Sequence, residues 1–279
     1  MSSIYQLIPD IKNLLRQRGE LDIPLTIHFG ERKEPPTLRL SKMGPICPKH
    51  LWHSIHTPHL AEPLPPETIF KFSYGHTIEA MAIALAKEAG HEVTGEQDEL
   101  VVDSIKGHRD CVLDGYIVDV KSCSSRMFQK FEKKEIAADD PFGYLDQLDG
   151  YMVGSAEDDL VRVKDVAFIW AIDKTLGKMV LYEHHLREAS ILERLAAYKS
   201  IVASPTSPAC TCEEVTDGKS GNLKLGVKAS YSSFKHVCKP ALRTFIYSDG
   251  PRYLTRVVRR PEASIIELDK HGHRVYNYS

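Results

Sequence analysis

The sequence predicts a mixed α/β or α+β chain, and three observations carry that prediction. Short β-prone runs and amphipathic helical runs interleave between residues 75 and 203, as they do when strands and helices share one core. Hydrophobic residues make up 42% and charged residues 27% of the 279, an ordinary globular balance that excludes disorder and collagen-like repetition. No apolar run approaches the ~18 residues of a membrane-spanning helix. Lysine and arginine number 36 against 38 acids, a formal charge of −2, so any affinity for nucleic acid has to be local.

The elements follow in order. Ile4, Leu7, Ile8, Ile11, Leu14 and Leu15 recur at helical spacing, and Asp10, Lys12 and Arg16 among them are unlike a signal peptide. Six cysteines without a secretory signal point to reduced thiols or a metal site. A Pro-rich stretch from Pro35 to Pro66 holds Cys47, Trp52, His50, His53, His56 and His59. Gly75 to Gly90 reads as a helix with Ile78, Met81, Ala82, Leu85 and Ala89 on its apolar stripe and Gly90 as its stop. Strand-like pieces follow at 99–103, 108–113 and 116–122. Asp140-Pro141 marks a helix start running through Gln147 to about Met152. Two strands, Val166–Asp173 and Met179–His184, precede a helix over Leu186–Ala203, and a looser Cys-bearing region ends the chain. The expected organisation is an N-terminal helical or irregular segment (1–69), a core (70–203) and a basic C-terminal region packing on it (204–279).

Asp114-Gly115, between β-prone runs, is a two-residue hairpin signal. With that turn, Leu113 opposes Tyr116, Val112 opposes Ile117, Cys111 opposes Val118 and Asp110 opposes Asp119. Opposed residues share a face, and alternation puts Lys121 on the face of Asp119. Two carboxylates and an ammonium thus converge. Opposed like charges destabilise a sheet unless a cation sits between them, and Mg²⁺ takes one or two carboxylates plus water and phosphate. Asp114 remains the alternative first acid, although it would occupy the turn.

This order of residues resembles the PD-(D/E)XK nuclease superfamily, specifically its RecB-like exonuclease branch, over roughly residues 70–185. Asp110, Asp119 and Lys121 match the Asp, hairpin, Asp/Glu-x-Lys pattern. His76 or Glu79 matches the upstream helical ligand, and Gln147-Leu-Asp-Gly-Tyr151 matches the downstream Gln-x-x-x-Tyr helix. The resemblance implies a restriction-endonuclease-like core, a central mixed β-sheet flanked by helices, and metal-dependent phosphodiester hydrolysis. It implies Asp110 and Asp119 as ligands of Mg²⁺ or Mn²⁺, with the Val120 carbonyl and His76 or Glu79 completing the shell. Lys121 would activate or position the attacking water, and Gln147 and Tyr151 would hold the site or the strand.

Some members of that branch carry an iron–sulfur cluster on one cysteine before the core and three after it. Cys47 and Cys238 match the first and last positions, but Ala229 and Ser232 stand at the two between. The frame reads as a vestigial cluster, and an iron–sulfur cluster is not expected. Cys210 and Cys212, alone or with His236, could substitute and even bind zinc.

Nine basic residues between Lys224 and Arg260 face one acid, Asp249, a local balance of 9 − 1 = +8. They include Lys235, Arg243 and Arg252, with Tyr253 among the interleaved aromatics. Arg126 and Lys130 belong to a second basic patch after Lys121. Basic groups track phosphates and aromatic faces stack on unpaired bases. The expected partner is DNA, at single- or double-stranded ends, with no membrane involvement, in the cytoplasm of a bacterium or a phage-infected cell. The leading reading is a DNA exonuclease of recombination, replication or end processing. A structure- or site-specific endonuclease and a non-catalytic DNA-binding accessory protein are the alternatives.

Overall fold

The computed structural model describes residues 3–17, 19–23, 25–26, 36–248, 250–262, 265–270 and 272–275. Its helices are α1 (Leu7–Gln17), α2 (Pro48–His56), α3 (Pro66–Glu88), α4 (Ser125–Glu132), α5 (Tyr144–Gly154), α6 (Glu188–Ala203), α7 (Val227–Ser230) and α8 (Lys235–Cys238). Its strands are β1 (Val93–Thr94), β2 (Glu99–Val102), β3 (Ile105–His108), β4 (Cys111–Leu113), β5 (Tyr116–Cys123), β6 (Val166–Asp173), β7 (Met179–His185), β8 (Glu214–Thr216), β9 (Leu223–Leu225), β10 (Arg243–Tyr247), β11 (Gly250–Arg256) and β12 (Ile266–Leu268). The chain divides into two compact units. One comprises Met1–Gly44 and Pro65–Leu195; the other comprises Pro45–Leu64 and Ala196–Ser279.

The first unit is built on a five-stranded sheet in the order β1-β4-β5-β6-β7. The β5–β6 pair is parallel and the others are antiparallel, so the sheet is mixed and flanked by helices, as expected. A parallel pair needs a crossover, which α4 and α5 supply between β5 and β6. Burial of β6 is continuous from Ala167 to Asp173, the signature of a strand covered on both faces. On one face Ile4, Leu7 and Ile11 from the N-terminus and Ala82, Leu85 and Ala86 from α3 pack on Leu113, Val118, Val120, Phe168 and Trp170. α4 packs on β5, β6 and β7, and α5 packs on β5.

Three elements differ from expectation for physical reasons. Helix α3 begins at Pro66, not Gly75, because proline suits a first helical turn. Its first half leaves Phe70, Phe72 and Tyr74 exposed, so no core-facing stripe announces it. Helix α5 begins at Tyr144, because Gly143 turns left-handed at φ 71° and Asp140 caps from outside the helix, accepting from the Gly143 and Leu145 amides at 2.8 and 2.9 Å. A side chain on Gly143 would stand 1.9 Å from the Gly44 Cα, so glycine is obligatory there. Helix α4 falls where the sequence shows only a basic patch; Phe128 and Phe131 bury its apolar side.

The second unit holds an antiparallel sheet in the order β12-β10-β11-β9-β8, where the sequence suggested only a looser region. Among the described residues, no helix is long and apolar enough to cross a membrane.

Candidate active site

The β4–β5 hairpin forms in the expected register: Cys111 with Val118, Val112 with Ile117, and Leu113 with Tyr116. Asp114 and Gly115 both take positive φ, 51° and 86°, as a type I′ turn requires. Asp110 lies one residue before β4. Its Oδ2 accepts the Val120 amide hydrogen at 2.7 Å, which fixes it beside Asp119 and Lys121. Asp119 is 1% exposed, and Lys121 Nζ lies 2.8 Å from its Oδ1 and 2.7 Å from its Oδ2. The Oδ2 contact is an ion pair without hydrogen-bond geometry.

Asp114 is occupied elsewhere. Its carboxylate meets His91 Nδ1 at 2.7 Å and accepts the Glu92 amide at 3.1 Å. The geometry therefore brings Asp110, and not Asp114, to Asp119 and Lys121.

Helix α5 delivers the next group. Gln147 Nε2 donates to Tyr151 Oη at 2.6 Å and reaches Asp119 Oδ1 at 3.4 Å. Tyr144, one turn before Gln147, puts its ring 5.6 Å from Lys121 Nζ. Its (i, i+3, i+7) relation to Gln147 and Tyr151 is visible in the sequence. Glu79, from α3, is half-buried, and Gln97 donates to its Oε1 at 2.6 Å. Gln97 sits in a turn at φ 58° and carries no local sign of this role. His76 is exposed on the same helix, near enough to Glu79 to stabilise its negative charge.

The electrostatics are unbalanced. Burial raises the Asp110 carboxyl well above the usual range, and Asp119 and Glu79 push it further. Burial also raises Asp119 and Glu79, with Lys121 opposing in both. Burial opposes the Lys121 ammonium, but Asp119 and Asp110 outweigh it and hold the lysine protonated. Three carboxyl groups thus share one cation. Hard oxygen donors with unmet negative charge suit a divalent ion of the Mg²⁺ or Mn²⁺ type. Asp110, Asp119 and Glu79 could hold it.

The buried acids of α5, on the face opposite Gln147 and Tyr151, anchor the helix from behind. Asp149, 0% exposed, receives His184 Nε2 at 2.7 Å and Arg187 Nε at 2.8 Å, and Arg187 and Arg194 reach Asp146 at 3.0 and 2.9 Å. A second anchor stands beside Asp110. Arg109, also 0% exposed, pairs with Asp98 at 2.7 Å and Asp158 at 2.5 Å and donates to the Gly95 carbonyl at 3.1 Å. Neither anchor has a signal in local spacing.

The basic residues of the C-terminal span are placed differently. Lys235 pairs with Glu62 and lies 4.7 Å over the Tyr253 ring. Arg243 forks onto Glu267 at 2.7 and 2.8 Å, and Arg252 meets Asp217 at 3.3 Å while stacking 3.8 Å over Tyr247. Lys228, Arg256, Arg259 and Arg260 are exposed. In the other patch, Arg126 is exposed and Lys130 pairs with Asp139 at 2.5 Å. The sulfurs of Cys47 and Cys238 stand 3.7 Å apart.

No protein-family model and no curated protein matches the chain. Among solved structures, it is similar to an alkaline exonuclease, LHK-Exo, from Laribacter hongkongensis, at 16% identity and TM-score 0.37. That alignment covers 47% of this chain and 66% of the exonuclease, just under two thirds. The same exonuclease in complex with dAMP aligns at 14% identity and TM-score 0.41, covering 61% of this chain and 87% of that one. The structure of SSO0001 aligns at 14% and TM-score 0.43, covering 84% and 94%. All three are distant likenesses, and none carries residues or chemistry over to this chain.

Proposed function

We propose that this chain is a divalent-metal-dependent deoxyribonuclease of the PD-(D/E)XK superfamily, RecB-like branch, acting as an exonuclease on DNA ends. One observation carries the reading: Asp110, Asp119 and Lys121 converge at the end of a β-hairpin, with Glu79 from one helix and the Gln147–Tyr151 pair from another beside them. A bound Mg²⁺ or Mn²⁺ would supply charge stabilisation at the phosphate and make water a better nucleophile.

The side chains do the rest. Asp110 and Asp119 bring the negative charge that holds such an ion. Lys121, whose ammonium both aspartates favour, would activate or position the attacking water or hold a phosphate oxygen. Gln147 ties Asp119 to Tyr151, so α5 fixes the carboxylate's direction. His76, exposed near Glu79, would complete the shell or meet the strand. Arg126 in the first unit, and Lys228, Arg256, Arg259 and Arg260 in the second, are the exposed cations that would follow the DNA backbone. Lys235, Arg243 and Arg252 would contribute by exchanging their carboxylate partners Glu62, Glu267 and Asp217 for phosphate.

The test uses end-labelled linear single- and double-stranded DNA and a covalently closed circle, each with Mg²⁺, Mn²⁺ or EDTA. Degradation of linear DNA with metal and none with EDTA supports the proposal. Cutting of the closed circle would make it an endonuclease of the same type. Binding without cleavage in both metals would leave an accessory role and sink the enzymatic reading.

A further inference from the structure

We propose that the second unit contains a closed, mononuclear zinc site formed by Cys47, His50, Cys212 and Cys238. The ligand atoms of these four residues all lie within 4.8 Å of one another. Cys47 Sγ to Cys238 Sγ is 3.7 Å, Cys212 Sγ to Cys238 Sγ is 3.6 Å, and Cys212 Sγ to His50 Nε2 is 3.4 Å. None of the sulfurs is in a disulfide.

Simple geometry reads these distances. Zinc binds thiolate at ~2.3 Å, so two sulfurs on a tetrahedral zinc stand about 3.8 Å apart, and a sulfur and an imidazole nitrogen slightly less. The observed separations match one ion at the centre. They do not match a four-iron cluster, in which each thiolate binds a different iron and the four sulfurs surround a cube instead of touching. The two cysteines of the iron–sulfur frame are therefore present, but a different set completes their site. Ala229, at one of the lost positions, is buried against Leu225 and Leu242 with Cys212 packed on that cluster. Ser232 donates no ligand either; its hydroxyl accepts from the Phe234 amide at 3.1 Å.

The local structure explains the convergence. Cys47 is the residue before α2 and Pro48 its first, so Cys47 and His50 stand at i and i+3 on one end of that helix, a ligand spacing. Cys238 ends α8, and Cys212 comes from the segment before β8. The Thr211 amide donates to Cys47 Sγ at 3.3 Å, as backbone amides do around metal thiolates. His50 is 2% exposed and Cys238 7%, so the site is closed, and four protein ligands leave no position for substrate. The ion would be structural. His236 is not a ligand, since it faces Glu62 at 3.7 Å. Cys210 touches the cluster as a further thiol, in hydrogen-bonding reach of Cys212 and Cys238.

The experiment measures metal on the full chain, independently of any nuclease activity. Protein purified from zinc-supplemented medium is analysed for zinc, iron and acid-labile sulfide. We expect one zinc per chain, no iron, and a colourless protein. Replacement by Co²⁺ should give the strong visible bands of tetrahedral, thiolate-bound cobalt. Cys212→Ser and His50→Ala should lose the zinc, and Cys210→Ser should keep it. Because a ligand variant can fail to fold, the wild-type chain is also titrated with an organomercurial and zinc release followed with a chromogenic chelator; release should track modification of the cluster thiols. Stoichiometric iron and sulfide would overturn the proposal. So would zinc-free, folded wild-type protein, or loss of zinc from Cys210→Ser with retention in His50→Ala.

Discussion

The hairpin end at Asp110–Lys121 and the Cys47–Cys238 cluster both place polar groups where a fold ordinarily buries carbon, and they do it in opposite ways. The first gathers hard oxygens with more negative charge than Lys121 can neutralise. The second gathers soft sulfurs and an imidazole at contact distance, closed to solvent on two of its four members. An unbalanced oxygen site suits an ion that keeps its waters and meets a phosphate. A contact-distance sulfur site suits an ion that stays. On the proposed reading, charge imbalance would mark the site of chemistry and saturation the site of support.

The largest expected effect separates ligand from non-ligand at the first site. Asp119→Ala and Lys121→Ala should each lower cleavage by at least ~10³-fold. Thermal shift on adding Mn²⁺ should disappear in Asp119→Ala and survive in Lys121→Ala. Equal loss of the shift in both would merge the two roles.

Removing each ion should then cost very different amounts of stability. Omitting Mg²⁺ from the buffer should lower the melting temperature by only a few degrees, without a new transition. A thiophilic chelator that extracts zinc should create a separate, lower-temperature transition in calorimetry, because binding energy at a structural zinc is folding energy. One unchanged transition after verified zinc loss would erase the contrast.

The two faces of α5 offer a third comparison. Asp149→Ala leaves buried His184 without its partner and releases exposed Arg187, and should cost ~1–3 kcal/mol in denaturant unfolding. Gln147→Ala should cost under ~1 kcal/mol and still impair cleavage, since its partners are Asp119 and Tyr151. A reversal of those stability costs would show that the active face, not the rear, holds the helix.

A smaller effect tests the imbalance itself. Burial raises the Asp110 carboxyl, so its negative charge costs stability above its unfolded value of ~3.9 and costs nothing below it. Asp110→Asn keeps an acceptor for the Val120 amide and removes that charge. It should melt ~2–4 °C higher than the parent at pH 7, with the gap closing toward pH 4, while losing cleavage. A variant less stable than the parent at pH 7 would mean the carboxylate is already compensated.

The smallest effect belongs to Asp114. Asp114→Asn preserves the Asn-Gly turn chemistry, so cleavage should persist, with at most ~1 kcal/mol lost from the His91 contact. Loss of cleavage comparable to Asp110→Asn would reopen the assignment of the first acid.

These contrasts track what could be read from the chain. The hairpin was legible to the residue because turn chemistry and side-chain alternation are local rules, and Asp110, Asp119 and Lys121 fall within one hairpin. Gln147 and Tyr151 were legible as one helix turn. The anchors were not, because Asp149 finds His184 and Arg187, and Arg109 finds Asp98 and Asp158, through tertiary packing. His50 was legible only as one histidine among four in a Pro-rich stretch; its sulfur partner lies 162 residues away. The linear segmentation at 69/70 and 203/204 had the same horizon. Contacts group residues 45–64 with the C-terminal part and 1–44 with the sheet, an interleaving that composition does not encode.

That interleaving has a consequence for the order of synthesis. Cys47 leaves the ribosome 165 residues ahead of Cys212, since 212 − 47 = 165, and His50 162 residues ahead. At ~5–20 residues per second they wait roughly 10–30 s for their partners. Throughout that interval the whole of Pro65–Leu195 is emerging and can complete its sheet, while the earlier pair remains an open, half-built chelate. The nascent chain therefore has a built-in sequence of events: the hairpin side matures first, and the thiols close last. Any early oxidation or capture of Cys47 would register only at the end, as a finished first unit joined to a second that cannot shut.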